Sequence, residues 1–146
     1  MPAPHFAKGE ESPVPADPVL LNLHFIAALS YADRGWYVVA NHSVTLEGMC
    51  TCADPRCSDP GKHPVYDRIL LAHGFYRATC DAVLLGRWWT QWPWANIGLR
   101  TGAQSGLLVL DVDPRHGGHE RLAPLEQAYG PLPETVEALT GALSTC

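Results

Sequence analysis

The chain has 146 residues, 47% of them hydrophobic and 17% charged, with a formal net charge of −5. That length is enough for one domain with a real hydrophobic core but not for two comfortable ones, and the composition excludes collagen-like and disordered classes. The negative balance, with no basic run, argues at first against a nucleic-acid partner.

Residues 1–18 hold five prolines and no apolar run, so they read as a flexible tail without a secretory signal, which makes the expected location cytoplasmic. The longest apolar region, "VLLNLHFIAALSYA", is interrupted by Asn22 and His24 and falls short of the roughly 20 apolar residues of a bilayer span, so no membrane partner is expected. Asp17 can cap and Pro18 can start a helix that carries Leu20, Leu23, Ala27 and Tyr31 on related faces and stops at Gly35. "WYVVA" at 36–40 is short and β-branched and reads as a strand.

The next stretch, "CTCADPRCSDPGKHP" at 50–64, concentrates Cys50, Cys52, Cys57 and His63. Without a signal peptide, a disulfide framework is not expected of the five cysteines. The four residues make a ligand set for tetrahedral zinc, and Asp54-Pro55 and Asp59-Pro60-Gly61 are turn formers that can fold a loop around an ion. The alternative is three incidental thiols in a surface loop. Cys80, in an expected helical stretch, and the terminal Cys146 read as bystanders.

"DAVLLGRWWTQWP" at 81–93 places Val83, Leu84, Trp88 and Trp92 at helical spacing before Pro93, and its aromatic residues read as core packing. "NIGL" at 96–99 and "GLLVLDVD" at 106–113 read as strands joined by "RTGAQS", the second buried on both faces. It ends in Asp111 and Asp113, which alternate and therefore share a face, so both could reach one or two magnesium or manganese ions. The same two residues could simply cap the strand and open a turn at Pro114, which on spacing alone is the simpler reading. "GGHERLAPLEQAYG" at 117–130 reads as a helix with Pro124 kinking or restarting it, and "TVEAL" as a last strand. Alternating elements of this kind imply a mixed α/β or α+β domain.

Taken in order, "ALSYADRGWYVV", "PGKHP", "WWTQWPWANIGLRTG", "SGLLVLDVDPRHGG" and "LEQAYGPLPET" resemble the N-terminal domain of the bifunctional DNA primase/polymerase family, within the archaeo-eukaryotic primase superfamily. The resemblance implies an α+β fold with a mixed sheet and flanking helices, an RRM-like primase/polymerase core carrying a zinc-loop insertion. It implies nucleotidyl transfer in the replication of a plasmid, phage or mobile element, with DNA template or primer and nucleoside triphosphates as partners and a helicase domain in full-length relatives. Asp111 and Asp113 map onto the metal-binding carboxylates. Cys50, Cys52, Cys57 and His63 match the cysteine-histidine insertion of some relatives, similar to a zinc-binding loop.

Lys62 and Arg100 can neutralise phosphates, and the backbone at Gly98, Thr101 and Gly102 can approach a nucleotide closely; solvated charges and an ordinary turn explain them equally. Charge distribution is compatible with this use, since residues 50–110 hold six Lys/Arg against four Asp/Glu. Relatives continue beyond Thr140-Gly141 into a glycine-rich strand with a functional histidine and a later acidic residue, which "ALSTC" does not match. The expectation is therefore a truncated chain that is inactive alone. Two other readings are a zinc-stabilised, non-catalytic nucleic-acid-binding module and an inactive remnant.

Overall fold

A computed structural model describes residues 22–138. The chain divides into two compact units at Leu108/Val109, and the first holds most of the secondary structure. Helix α1, Leu23–Asp33, begins where the Asn22 side chain accepts the amides of His24 and Phe25 at 3.0 and 3.2 Å. Asn22 also donates through Nδ2 to the Pro93 carbonyl at 2.8 Å, so the cap ties the helix to a distant loop. The helix thus starts at Leu23 and not at Pro18; Asp17, Pro18 and Leu20 lie outside the described residues. Its buried face is Phe25, Ala28 and Ala32, whereas the expected Leu23 is 78% exposed. Gly35 ends the helix in the left-handed region, at φ +78°, which a side chain would strain.

Strand β1, Tyr37–Asn41, pairs antiparallel with β2, Asn96–Arg100, in a register that sets Tyr37 opposite Arg100 and Asn41 opposite Asn96. The other edge of β1 is covered by two short pieces of chain. Thr79 exchanges both backbone hydrogen bonds with Val38, at 2.9 and 2.8 Å, and residues 63–65 bond to Ala40 and His42. Val38 and Ala40 are fully buried and share their face with Leu99 and Ile97. The opposite face carries Tyr37, Val39 and Asn41 beside Arg100, Gly98 and Asn96.

Helix α2, Ala82–Gln91, is capped by Asp81, whose carboxylate accepts the amides of Val83 and Leu84 at 2.8 and 3.2 Å. Its apolar stripe places Leu85, Trp88 and Trp89 fully in the core. A buried indole N–H needs an acceptor. Trp88 donates to the Leu70 carbonyl at 2.9 Å and Trp89 to that of Ala95 at 3.2 Å, so the expected packing role of these tryptophans holds. Cys80 lies before α2, not within it, and its thiol donates to the Trp36 carbonyl at 3.4 Å. Cys146 lies outside the described residues.

After β2 the chain turns through Gly102 and Gly106, both at positive φ, and the Gly102 amide closes the turn on the Leu107 carbonyl at 2.8 Å. Ser105, buried in this turn, accepts the Tyr37 amide at 2.9 Å and pins the turn to the start of β1. The strand expected over 106–113 does not form; its pairing stops at the Gly102–Leu107 bridge. Nor is the run buried on both faces as expected: Leu108 is 96%, Val109 68% and Leu110 56% exposed, because an apolar run without a backbone partner has no sheet to bury it.

The second unit holds a short 3-10 turn at Pro114–His116 and helix α3, Gly118–Tyr129, which accommodates Pro124 within it. Residues 135–138 of the expected last strand form none, and Leu139 lies outside the described residues. The fold class is α+β, with three α-helices and a two-stranded antiparallel sheet among the described residues. No helix there is long and apolar enough to cross a membrane.

Candidate metal centre

The cysteine-histidine loop is built on the end of β1. His42 continues the strand by donating its amide to the His63 carbonyl at 2.9 Å, which fixes the backbone of the last ligand. A small hairpin follows. Thr45 donates to Met49 at 2.8 Å and Thr51 to Ser43 at 2.9 Å, and this brings Cys50 back beside the strand. Asp54 then accepts the Arg56 amide at 2.9 Å through its side chain and the Cys57 amide at 3.1 Å through its carbonyl. This tight turn delivers the third thiol. Gly61, at φ +73°, closes the loop, and a Cβ there would come within 2.9 Å of Val44 Cγ2.

The result brings Cys50, Cys52, Cys57 and His63 together, with their ligand atoms all within 4.8 Å of one another. Nε2 of His63 lies 3.4 Å from both Cys50 Sγ and Cys57 Sγ. A tetrahedral ion with bonds of about 2.3 Å to sulfur and about 2.0 Å to nitrogen separates its sulfur and nitrogen ligands by about 3.5 Å. The spacing is therefore that of a ligand shell. Three thiols and one imidazole at this distance suit zinc by softness as well as geometry.

The electrostatics point the same way. Desolvation pushes the Cys50 thiol up, but the amides of Cys52 and Gly61 and the side chains of Cys52 and His63 outweigh it and bring the thiol down to about 6. Cys57 is pushed up to about 11, by desolvation first and then by the neighbouring Cys50 and Cys52. The thiolate at Cys50 thus disfavours a second one at Cys57, and a cation among the sulfurs would relieve that repulsion.

Sequence reasoning missed the support around these ligands. The His42 ring packs on His63 at 4.6 Å and on Trp94 at 5.5 Å, while His42 Nδ1 and Thr51 Oγ1 lie 2.9 Å apart. Asn96 Nδ2 donates to the Gly61 carbonyl at 3.4 Å, tying the loop to β2. The one local signal was His42 directly after a strand that ends beside the loop. Packing and desolvation, followed by the charge of His63, lower the His42 pKa.

The candidate nucleotide-contacting residues are placed unevenly. Gly98, Arg100, Thr101 and Gly102 lie within one five-residue stretch of β2 and its turn. Lys62 is exposed beside Gly61 and the Asn96 end of β2, about 14 Å of strand from Arg100. Gly98 has a packing reason of its own, since a Cβ there would lie 2.8 Å from both Val39 Cγ1 and Asn41 Nδ2.

In the second unit, Asp111 is exposed and Asp113 half-buried. Asp113 Oδ1 accepts the Arg115 amide at 2.9 Å and Arg115 Nε at 3.1 Å, while Oδ2 takes Arg115 Nη2 at 3.1 Å and His116 Nδ1 at 2.9 Å. The Arg115 side chain and amide, then His116, hold the Asp113 carboxyl well below the usual carboxylate range. Asp113 thus caps the turn that Pro114 opens.

These features lie within one family match. The profile described as "Bifunctional DNA primase/polymerase, N-terminal" matches residues 28–146. The chain belongs to that family. The matched region of this primase/polymerase domain takes in the cysteine-histidine loop, both strands and the Asp111-Val112-Asp113 segment. No curated protein and no solved structure matches the chain.

Proposed function

We propose that this is a primase/polymerase domain for metal-dependent nucleotidyl transfer on DNA, serving replication of a plasmid, phage or mobile element beside a helicase function. The observation that carries the reading is the family match across 28–146, which includes Asp111 and Asp113. Their hard oxygen donors suit magnesium or manganese. Bound there, such a cation would neutralise triphosphate oxygens and the charge that develops on the departing pyrophosphate.

The chain's own residues supply the remainder of the proposed site. Asp111 and Asp113 would hold the cation between them. Arg100 would pair with phosphate oxygens, and Gly98, Thr101 and Gly102 would let a nucleotide approach the backbone. Lys62 would act as a further phosphate contact from the other end of β2. Zinc at Cys50, Cys52, Cys57 and His63 would hold the loop, with no part in the transfer.

In the conformation described, Asp113 gives both oxygens to Arg115 and His116. A cation has to displace those bonds, so the 146-residue chain alone is expected not to extend a primer. That same engagement favours a second reading, a zinc-stabilised nucleic-acid-binding module without catalysis. The deciding experiment titrates manganese into wild type and Asp113→Asn and assays both on primed template with all nucleotides. Weak binding lost in the variant supports the transfer reading; equal affinity in the two proteins overturns it.

A further inference from the structure

At the end of the sheet where β1 starts and β2 finishes, two arginines each lie over two aromatic rings. Arg100 is 5.6 Å from the ring centres of both Phe75 and Tyr76. Arg34 is 5.9 Å from Tyr31 and 5.4 Å from Trp36, two rings stacked at 5.6 Å and 22°. Trp36 directly precedes Tyr37, the register partner of Arg100, so both clusters belong to one end of the sheet.

Tyr31 is partly buried and packs against the core, whereas the rings of Phe75 and Tyr76 are not spent on it. Phe75 is 41% and Tyr76 76% exposed. Burying even one such ring would ordinarily be favourable by a few kcal/mol, so leaving adjacent rings in water needs a reason. Among the described residues the ion pairs all involve Asp113, so neither Arg34 nor Arg100 has a carboxylate partner. Asp67 and Asp81 accept amides within their own turns.

Planar cations and exposed rings at one edge suit a ligand with flat π-faces linked by negative charges. We propose that Tyr31, Arg34, Trp36, Phe75, Tyr76 and Arg100 form a stacking platform for single-stranded nucleic acid. Unpaired bases stack on the exposed rings and guanidinium planes, and the backbone phosphates neutralise the two arginines. A duplex keeps its bases stacked on each other and gains only the phosphate contacts. The assignment rests on the reading of this domain as one that works on DNA, but its binding step requires neither Asp111 nor Asp113.

The test measures fluorescence anisotropy of a labelled oligothymidylate and of a duplex of equal length with the zinc-loaded 146-residue chain, without magnesium or manganese. Wild type should prefer the single strand. Phe75→Ala with Tyr76→Ala should weaken single-strand binding about tenfold or more while leaving the salt dependence unchanged. Arg34→Ala and Arg100→Ala should each flatten the slope of log affinity against log salt by about 0.7. Tyr76→Phe, which keeps the ring, should bind as wild type. Tyr76→Ala alone removes a mostly exposed side chain and carries the test if the double variant is unstable. Absence of binding by wild type, equal affinity for duplex, or unchanged affinity in Tyr76→Ala overturns the platform. Manganese binding lost with Asp113→Asn while the platform fails would leave the transfer reading standing; the reverse result would remove that reading and keep the platform.

Discussion

Nε2 of His63 stands 3.4 Å from the sulfur of Cys50, although a whole loop separates the two residues in the chain. The hairpin that returns Cys50 and the His42–His63 backbone bond produce this closeness from opposite sides. Four donors within 4.8 Å of one another should therefore hold about one equivalent of zinc in the purified protein. Cys52→Ser with Cys57→Ser should remove the metal. A loss of about 3 kcal/mol would lower the melting temperature by roughly 10 °C. Metal analysis and thermal unfolding check it, and unchanged zinc content in the double variant would remove the site.

Trp88 is fully buried and donates its indole N–H to the Leu70 carbonyl at 2.9 Å. Trp88→Phe deletes that donor and part of the ring volume, so the carbonyl loses a partner and the core gains a void. The expected cost is about 2–4 kcal/mol. Chemical denaturation measures it, and a change under about 0.5 kcal/mol, the range of ordinary surface substitutions, would mean that the core repacks freely.

What the sequence made legible follows from how local each cause is. Helix α2 was readable from Trp88 and Trp92 at helical spacing before Pro93, although Val83, expected on the same face, is 68% exposed and Leu85 and Trp89 are buried in its place; the metal loop was readable because its donors are neighbours in the chain. Helix α1 was misread in its face and start. Its residues "LHFIAALSYA" are apolar nearly all round, so periodicity cannot choose a face. The tie from Asn22 to Pro93 is a contact that no local pattern encodes. Residues 106–113 were read as a strand from apolarity alone, yet a strand also needs a partner. The arginine–aromatic clusters were invisible because Arg100 meets Phe75 and Tyr76 only after folding.

Gly98 separates two explanations of one glycine. A Cβ at this position meets Val39 Cγ1 and Asn41 Nδ2 at 2.8 Å, and Asn41 Oδ1 is already buried without a hydrogen-bond partner among the described residues. Gly98→Ala should therefore destabilise the domain by about 1–3 kcal/mol with no nucleotide present. Denaturation of the ligand-free protein gives the answer. Wild-type stability in the variant would show that the neighbouring side chains yield easily and that packing does not require the glycine.

Asp113 and Arg115 provide the last prediction, because the arginine that stabilises the carboxylate also competes for it. Both Asp113 oxygens are engaged, two bonds coming from the Arg115 side chain and one from its amide. These bonds favour the ionised form, so the carboxyl titrates below its ordinary range. The sign follows from a depressed folded pKa: any stability from this clasp is complete above the ordinary carboxylate value of about 4 and is lost as pH falls through the lowered one. Arg115→Ala removes the side-chain contribution and should bring the Asp113 titration back up, read by carbon-detected NMR. It also frees lone pairs that a divalent cation needs. The same substitution should therefore raise manganese affinity several-fold at neutral pH, against the loss expected for Asp113→Asn. If Arg115→Ala moves the titration but leaves manganese affinity unchanged, the carboxylate is a turn cap alone and Asp113 has no part in holding metal.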